Sequence, residues 1–253
     1  MKRVYGWRKD LPSNREWFDH EKLLSKLGTT PDVTNNRKFI KWVYDQGQEG
    51  SCTANSGVGS NRFFRSSKGL VDFLGSRQFL YYVTRSLEGT TKSDAGATIA
   101  DTEKAETQFG ICNESLWPYS KSLMTKPSTA AYKDALNHQV IVKSPVQQTQ
   151  VAMETCIAAG QPIHYGMSVF SSFESAAVAK TGIVPMPKKN EQVLGGHALY
   201  LFDYDRVKKV AYGQNSWGAS WGQDKLCIFQ IPYAYILNPD LASDFWTISQ
   251  IEV

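Results

Sequence analysis

Cys52 follows the run Asp45-Gln46-Gly47-Gln48-Glu49-Gly50-Ser51 and heads a segment, Cys52 to about Lys68, in which Ala54, Val58, Phe63 and Phe64 recur at roughly helical spacing. A thiol at a helix start feels the positive end of the backbone dipole, which predicts a lowered pKa and a reactive thiolate. Attack of that thiolate on an amide carbonyl needs a base beside it, a group that orients the base, and donors for the oxyanion. His197 opens an apolar strand directly after Gly195-Gly196, where its imidazole could pair with the thiolate and protonate a leaving amine. Asn215 lies eighteen residues further on, within reach of a hairpin return. Its neutral amide can hold one imidazole nitrogen and leave the other for the sulfur, without a second negative charge, and Trp217 can shield that hydrogen bond from water. Gln46, six residues before the thiol, can offer its amide N–H to the oxyanion alongside the Cys52 backbone N–H.

These residues must be positioned by distant elements. Besides the Cys52 segment, helices are expected from Ser76 to Leu87, with Ser76 placed to cap it; from Ala97 to Phe109, closed by Gly110; and from Gln147 to Ala159, closed by Gly160. After Gly160 the texture changes to short apolar runs: Pro162 to Phe170, His197 to Tyr204, Lys209 to Gln214, Leu226 to Ile231 and Phe245 to Ile251. The fold class is therefore α+β, a helical layer and an antiparallel β layer with the active-site cleft between them. We divide the single catalytic domain, 1–253, into an N-terminal extension over 1–45, a mainly helical part over 46–145 and a mainly β part over 146–253.

Three motifs in order carry a family resemblance: Gln46-Gly47 with Gly50-Ser51-Cys52, then Gly196-His197-Ala198, then Asn215-Ser216-Trp217-Gly218 ending in Trp221-Gly222. His197 and Asn215 follow the cysteine by 145 and 163 residues. The chain resembles the papain family of cysteine peptidases. The resemblance implies a papain-like fold, hydrolysis of peptide bonds through a thioacyl intermediate, no cofactor, and Cys52, His197, Asn215 and Gln46 as the catalytic set. It also implies substrate contacts at Gly96, a cleft-edge glycine, at Gly195 and Gly196 on the same wall, and at Trp217. Gly6-Trp7-Arg8 resembles the start of a mature domain, and Trp117-Pro118-Tyr119 a landmark between motifs. Glu49 stands where animal and plant enzymes carry a disulfide cysteine, and Thr53 where they carry Trp, as in bacterial, archaeal and viral members. Two alternatives are an amidase or acyltransferase with the same triad and an inactive member used as a binding module.

The remaining sequence narrows the partners. A net charge of +4, with no block of five like charges, argues against nucleic acid, and no window approaches a membrane span. The start lacks the apolar stretch of a signal peptide, and four cysteines are too few for a disulfide scaffold, so a cytoplasmic or virus-associated monomer acting on peptide or protein is expected. No Cys and His spacing suggests a zinc site, and no metal is expected. Cys112, Cys156 and Cys227 read as buried thiols, His164 as a core histidine, and His20 and His138 as surface residues. The long approach to Gln46 makes the N-terminal segment a candidate for self-inhibition by lying over the cleft.

Overall fold

The computed structural model describes residues 3–13 and 16–252. Along the chain come β1 (Trp7–Arg8), α1 (His20–Leu27), α2 (Cys52–Ser67), α3 (Arg77–Leu87), β2 (Ala97–Thr98), α4 (Ile99–Gln108), α5 (Thr129–Ala135), β3 (Val140–Pro145) and α6 (Gln150–Ala158). They continue with β4 (Ile163–Phe170), α7 (Ala176–Thr181), β5 (Val193–Asp205), β6 (Val210–Gln214), β7 (Ile228–Pro232), α8 (Tyr233–Ile236) and β8 (Ala242–Ile251). β3 to β8 form one antiparallel sheet in the order β3-β8-β4-β5-β6-β7. The architecture is α+β.

Local signals set most helix ends. The Ser76 hydroxyl accepts from the Phe79 N–H, and Thr149 does the same for Ala152 at the start of α6. Gly110 and Gly160 adopt positive φ just beyond α4 and α6. α4 begins two residues later than its periodicity suggested, because Ala97 and Thr98 pair in parallel with Trp7 and Arg8 of the N-terminal segment. β3, in the half that reads as helical, pairs with β8 from the far end of the chain, a partner its local sequence does not reveal.

The sheet is buried on both faces. Leu199 and Leu201 of β5 enter one core with Tyr165, Met167, Trp217 and α6, while Tyr200 and Phe202 enter a second with Val58 and Phe63 of α2 and Leu80 of α3. That two-sided burial makes the run read as continuously apolar rather than alternating. α2 approaches β5 closely because Gly59 has no side chain; a Cβ there would stand 2.7 Å from the Tyr200 ring.

Beneath the first turn of α2 lies a buried polar chain. Ser56 Oγ donates to the Cys52 carbonyl at 2.7 Å and lies 2.7 Å from His164 Nε2, while His164 Nδ1 lies 2.6 Å from Glu103 Oε1. Both ring nitrogens of His164 are thus occupied. Lys143 of β3 pairs with both Glu103 and Glu106. Burial pushes the Glu106 carboxyl up to about 7, and the Lys143 charge acts against that rise. Removing a partner from a buried ion pair leaves an uncompensated charge. Lys143→Met is therefore expected to cost about 3 to 5 kcal/mol in urea unfolding at pH 7. The loss should shrink towards pH 5, because the Glu106 carboxyl, whose folded-state pKa burial raises, is stabilised by taking up a proton once Lys143 is gone.

Candidate active site

Cys52 occupies the first position of α2, after the cap residue Ser51, and is fully buried. The loop before it is tied to the β layer: Gln46 N–H donates to the Ser216 carbonyl at 2.9 Å, Gly218 N–H to the Tyr44 carbonyl at 2.9 Å, and Ser216 Oγ to Gln46 Oε1 at 2.7 Å. This locks the Gln46 side chain and leaves its Nε2 to donate to Glu49 O at 2.8 Å and Val4 O at 3.3 Å.

His197 and Asn215 meet through the β5–β6 ladder. Tyr200 faces Gln214, so one rung further Asn215 would stand opposite Leu199, on the face of β5 that His197 shares. The His197 Nε2–H donates to Asn215 Oδ1 at 2.8 Å, and that oxygen also accepts from Ser216 N at 2.7 Å. His197 Nδ1 has no hydrogen-bond partner among the described residues, and the backbone of Ala198, the next residue, hydrogen-bonds the Cys52 thiol. The Trp217 ring stacks on the imidazole with centroids 5.1 Å apart, and packs edge-on against Phe173 and Trp221.

The structure thereby gathers Cys52, Gln46, His197, Asn215 and Trp217 into one region. Gly96, Gly195 and Gly196 line it too, and the chain of residues 3–8 touches all three. Gly6 O accepts from Ala97 N at 2.7 Å, and a Cβ on Gly96 would collide with the Gly6 carbonyl. Cβ atoms on Gly195 and Gly196 would meet the Tyr5 side chain at its Cβ and the Trp7 carbonyl, at 2.8 and 2.6 Å. Arg3 lies over the Trp217 ring at 4.6 Å, and Tyr5 packs edge-on against both His197 and Trp217. The segment is anchored at its sides by hydrogen bonds from Tyr5 to Glu174 and from Arg8 to Glu88. Gly6-Trp7-Arg8 therefore lies across these residues.

That cover overturns one expectation about the thiol. Burial raises the Cys52 pKa to about 11, against the opposing hydrogen bonds from the backbone of Ala198, Gly6, Thr53 and Cys52 itself. Burial likewise depresses His197 to about 4, although the Asn215 bond works the other way; the Arg3 charge adds to the depression. With both groups fully buried, loss of water outweighs the dipole of the helix start, and the neutral thiol–imidazole pair is favoured.

A family model described as papain family cysteine protease matches residues 27–230. The chain belongs to the papain family. It is a cysteine peptidase, a hydrolase, and its match begins well after Trp7. An uncharacterised peptidase C1-like protein of Acanthamoeba polyphaga mimivirus is 36% identical across 99% of this chain and 88% of its own length. Xylellain, a cysteine protease from Xylella fastidiosa, superposes with a TM-score of 0.89 at 33% identity, covering 97% of this chain and 96% of that one. A procathepsin B from Trypanosoma congolense shares the fold, with a TM-score of 0.74 at 13% identity over 98% of this chain and 86% of that one.

Tyr5, Trp7 and Ala97 also lie at this site, a placement the sequence reading did not give them, and the Trp7 indole N–H donates to Asp244 Oδ2 at 3.1 Å. The other cysteines are all free and buried. No group of three or more His, Cys, Asp or Glu among the described residues is arranged for a metal ion. No helix among them is long and apolar enough to cross a membrane. His138 departs from its surface reading by stacking on Phe73 at 4.1 Å.

Proposed function

We propose that this enzyme hydrolyses peptide bonds with Cys52 as nucleophile, His197 as base and acid, Asn215 as orienter and Gln46 as oxyanion donor. The observation that carries the reading is the His197–Asn215 hydrogen bond, which leaves Nδ1 for the sulfur beside the head of α2. In the open enzyme His197 takes the thiol proton, the sulfur bonds to the carbonyl carbon, and Gln46 Nε2 with the Cys52 N–H receives the oxyanion. As the C–N bond breaks, the imidazolium gives its proton to the leaving amine. Water then adds hydroxide to the thioacyl carbon, its proton passes to His197, and the carbon–sulfur bond breaks to free the acid and the thiol. In the described conformation Val4 O takes the Gln46 donor that an oxyanion would use.

The N-terminal segment acts on this reading as an inhibitor. The Gly6 backbone hydrogen-bonds the Cys52 sulfur, so the segment fills the cleft where a substrate would lie. A reducing compartment, cytoplasmic or virus-associated, suits four free thiols.

The test keeps the full chain. A recognition sequence for a site-specific protease is inserted between the exposed residues Pro12 and Ser13, and the protein is folded intact and then nicked. Nicking is expected to start cleavage of unfolded protein and fluorogenic dipeptides, and Cys52→Ala to reduce it by at least about a thousandfold. Undiminished turnover in Cys52→Ala, or no reaction of Cys52 with an epoxide probe after nicking, would refute the assignment.

A further inference from the structure

A run of hydrogen bonds leads from the buried ion cluster beneath α2 to the Cys52 sulfur. The Ser56 hydroxyl has one hydrogen, and it goes to the Cys52 carbonyl at 2.7 Å, with Thr53 O further off at 3.1 Å. Towards His164 Nε2, also 2.7 Å away, the hydroxyl oxygen can then only accept, so the ring carries a hydrogen on Nε2. His164 Nδ1 faces Glu103 Oε1 at 2.6 Å. Burial opposes the Glu103 charge, but Lys143 and His164 outweigh it and hold this carboxyl below its usual range, so Nδ1 donates to a carboxylate.

The run continues across one peptide unit. The Cys52 carbonyl and the Thr53 N–H are the two ends of a single conjugated group, and donation to the oxygen makes the N–H a stronger donor. Thr53 is the second residue of α2, where a backbone N–H has no acceptor within the helix. The Thr53 backbone hydrogen-bonds the Cys52 thiol in the sense that favours the thiolate, and the only backbone group able to do that is the N–H. The order is therefore His164 Nε2–H, Ser56 O–H, the Cys52–Thr53 peptide and the sulfur, with every link donating towards the nucleophile. All four residues are buried, so water does not compete for the links.

Resting on the peptidase reading above, we infer that Ser56 and His164 are positioning residues for the nucleophile: they polarise the Cys52–Thr53 peptide so that its N–H stabilises the Cys52 thiolate. The ion cluster sets the direction of the run. Glu103 takes the Nδ1 hydrogen, and Lys143 of β3, paired with Glu103 and Glu106 of α4, keeps Glu103 charged. On the side of the sulfur the titratable group is His197 of β5, with Arg3 over Trp217 beyond it in the closed chain. His197 remains the base, and His164 acts on the sulfur only through Ser56 and the peptide.

The experiment uses the nicked full chain and follows iodoacetamide alkylation of Cys52 as a function of pH. In Ser56→Ala the midpoint of the profile is expected to rise by about half a unit to one unit, the effect of losing one hydrogen bond to the charged form. Alkylation below the native midpoint then falls by about threefold to tenfold, while the alkaline plateau stays at its native height. Ser60→Ala removes a similar bond to the Gly57 carbonyl, 2.9 Å long and one turn further along α2, and should leave the profile where it was. An unmoved midpoint in Ser56→Ala overturns the inference. So does an equal loss at every pH, the mark of a displaced thiol. Nitrogen-15 NMR of the native chain needs no variant: a protonated His164 Nε2 is expected, and an unprotonated one overturns the inference, because Ser56 would then donate to the ring. If the nicked native chain neither cuts peptides nor alkylates, the triad assignment fails and this inference with it. An active native chain with a Ser56→Ala profile like its own removes this inference alone.

Discussion

Gly6→Ala in the full-length chain is expected to raise Cys52 labelling by a thiol-directed probe, and peptide turnover, by about ten- to a hundredfold without nicking. Gly6 passes through a slot between two other glycines. A Cβ on it would collide with the Gly50 carbonyl, while Gly96 on the opposite side has room for no Cβ of its own beside the Gly6 carbonyl. The slot is braced. Gly50 N–H donates to Asp94 Oδ2 at 2.9 Å, Tyr81 donates to the same carboxylate, and Gly96 N–H donates to the Tyr81 oxygen at 3.1 Å. An added methyl must therefore displace the segment rather than the walls, and overpacking of this kind costs about 1 to 3 kcal/mol. Lys9→Ala, at an exposed position of the same segment, is the control and should leave both rates unchanged. If Gly6→Ala stays as unreactive as the native chain, occlusion by this segment is wrong.

The second large effect concerns pH. In the intact chain a thiol pKa near 11 leaves about one part in 10⁴ as thiolate at pH 7, so alkylation by iodoacetamide should be slow there and climb towards pH 11. The depressed His197, near 4, is neutral across the same range and offers the sulfur no cation. Both shifts come chiefly from burial, which disfavours the charged form of each group. Releasing the segment admits water, so the thiol pKa falls, the imidazole pKa rises, and an ion pair becomes accessible between them. The nicked chain should therefore alkylate rapidly from weakly acidic pH upward, and the two rate profiles should differ most near neutrality. Superimposable profiles before and after nicking would show that the segment does not control the electrostatics of the thiol.

The sequence by itself determined the family, the α+β class and the helices that carry their own start and stop signals, such as α3 behind Ser76 and α4 before Gly110. These are legible because capping, periodicity and glycine conformations act over a few residues, and because the Cys52, His197 and Asn215 motifs are dense strings of unusual composition. Elements that depend on a remote partner were not legible: β3 exists because β8 pairs with it, and β2 because the N-terminal segment does. The tertiary structure alone decided where residues 3–8 lie, and hence that the Cys52 thiol is held neutral despite its helix start. It also decided that Asp244, from β8, accepts a hydrogen bond from Trp7 of the N-terminal segment, and that Lys143, His164 and two glutamates form a buried chain beneath the first turn of α2. Propensity and dipole effects are local, whereas desolvation and charge pairing depend on what the rest of the chain brings into contact, and in this cleft the second kind prevails.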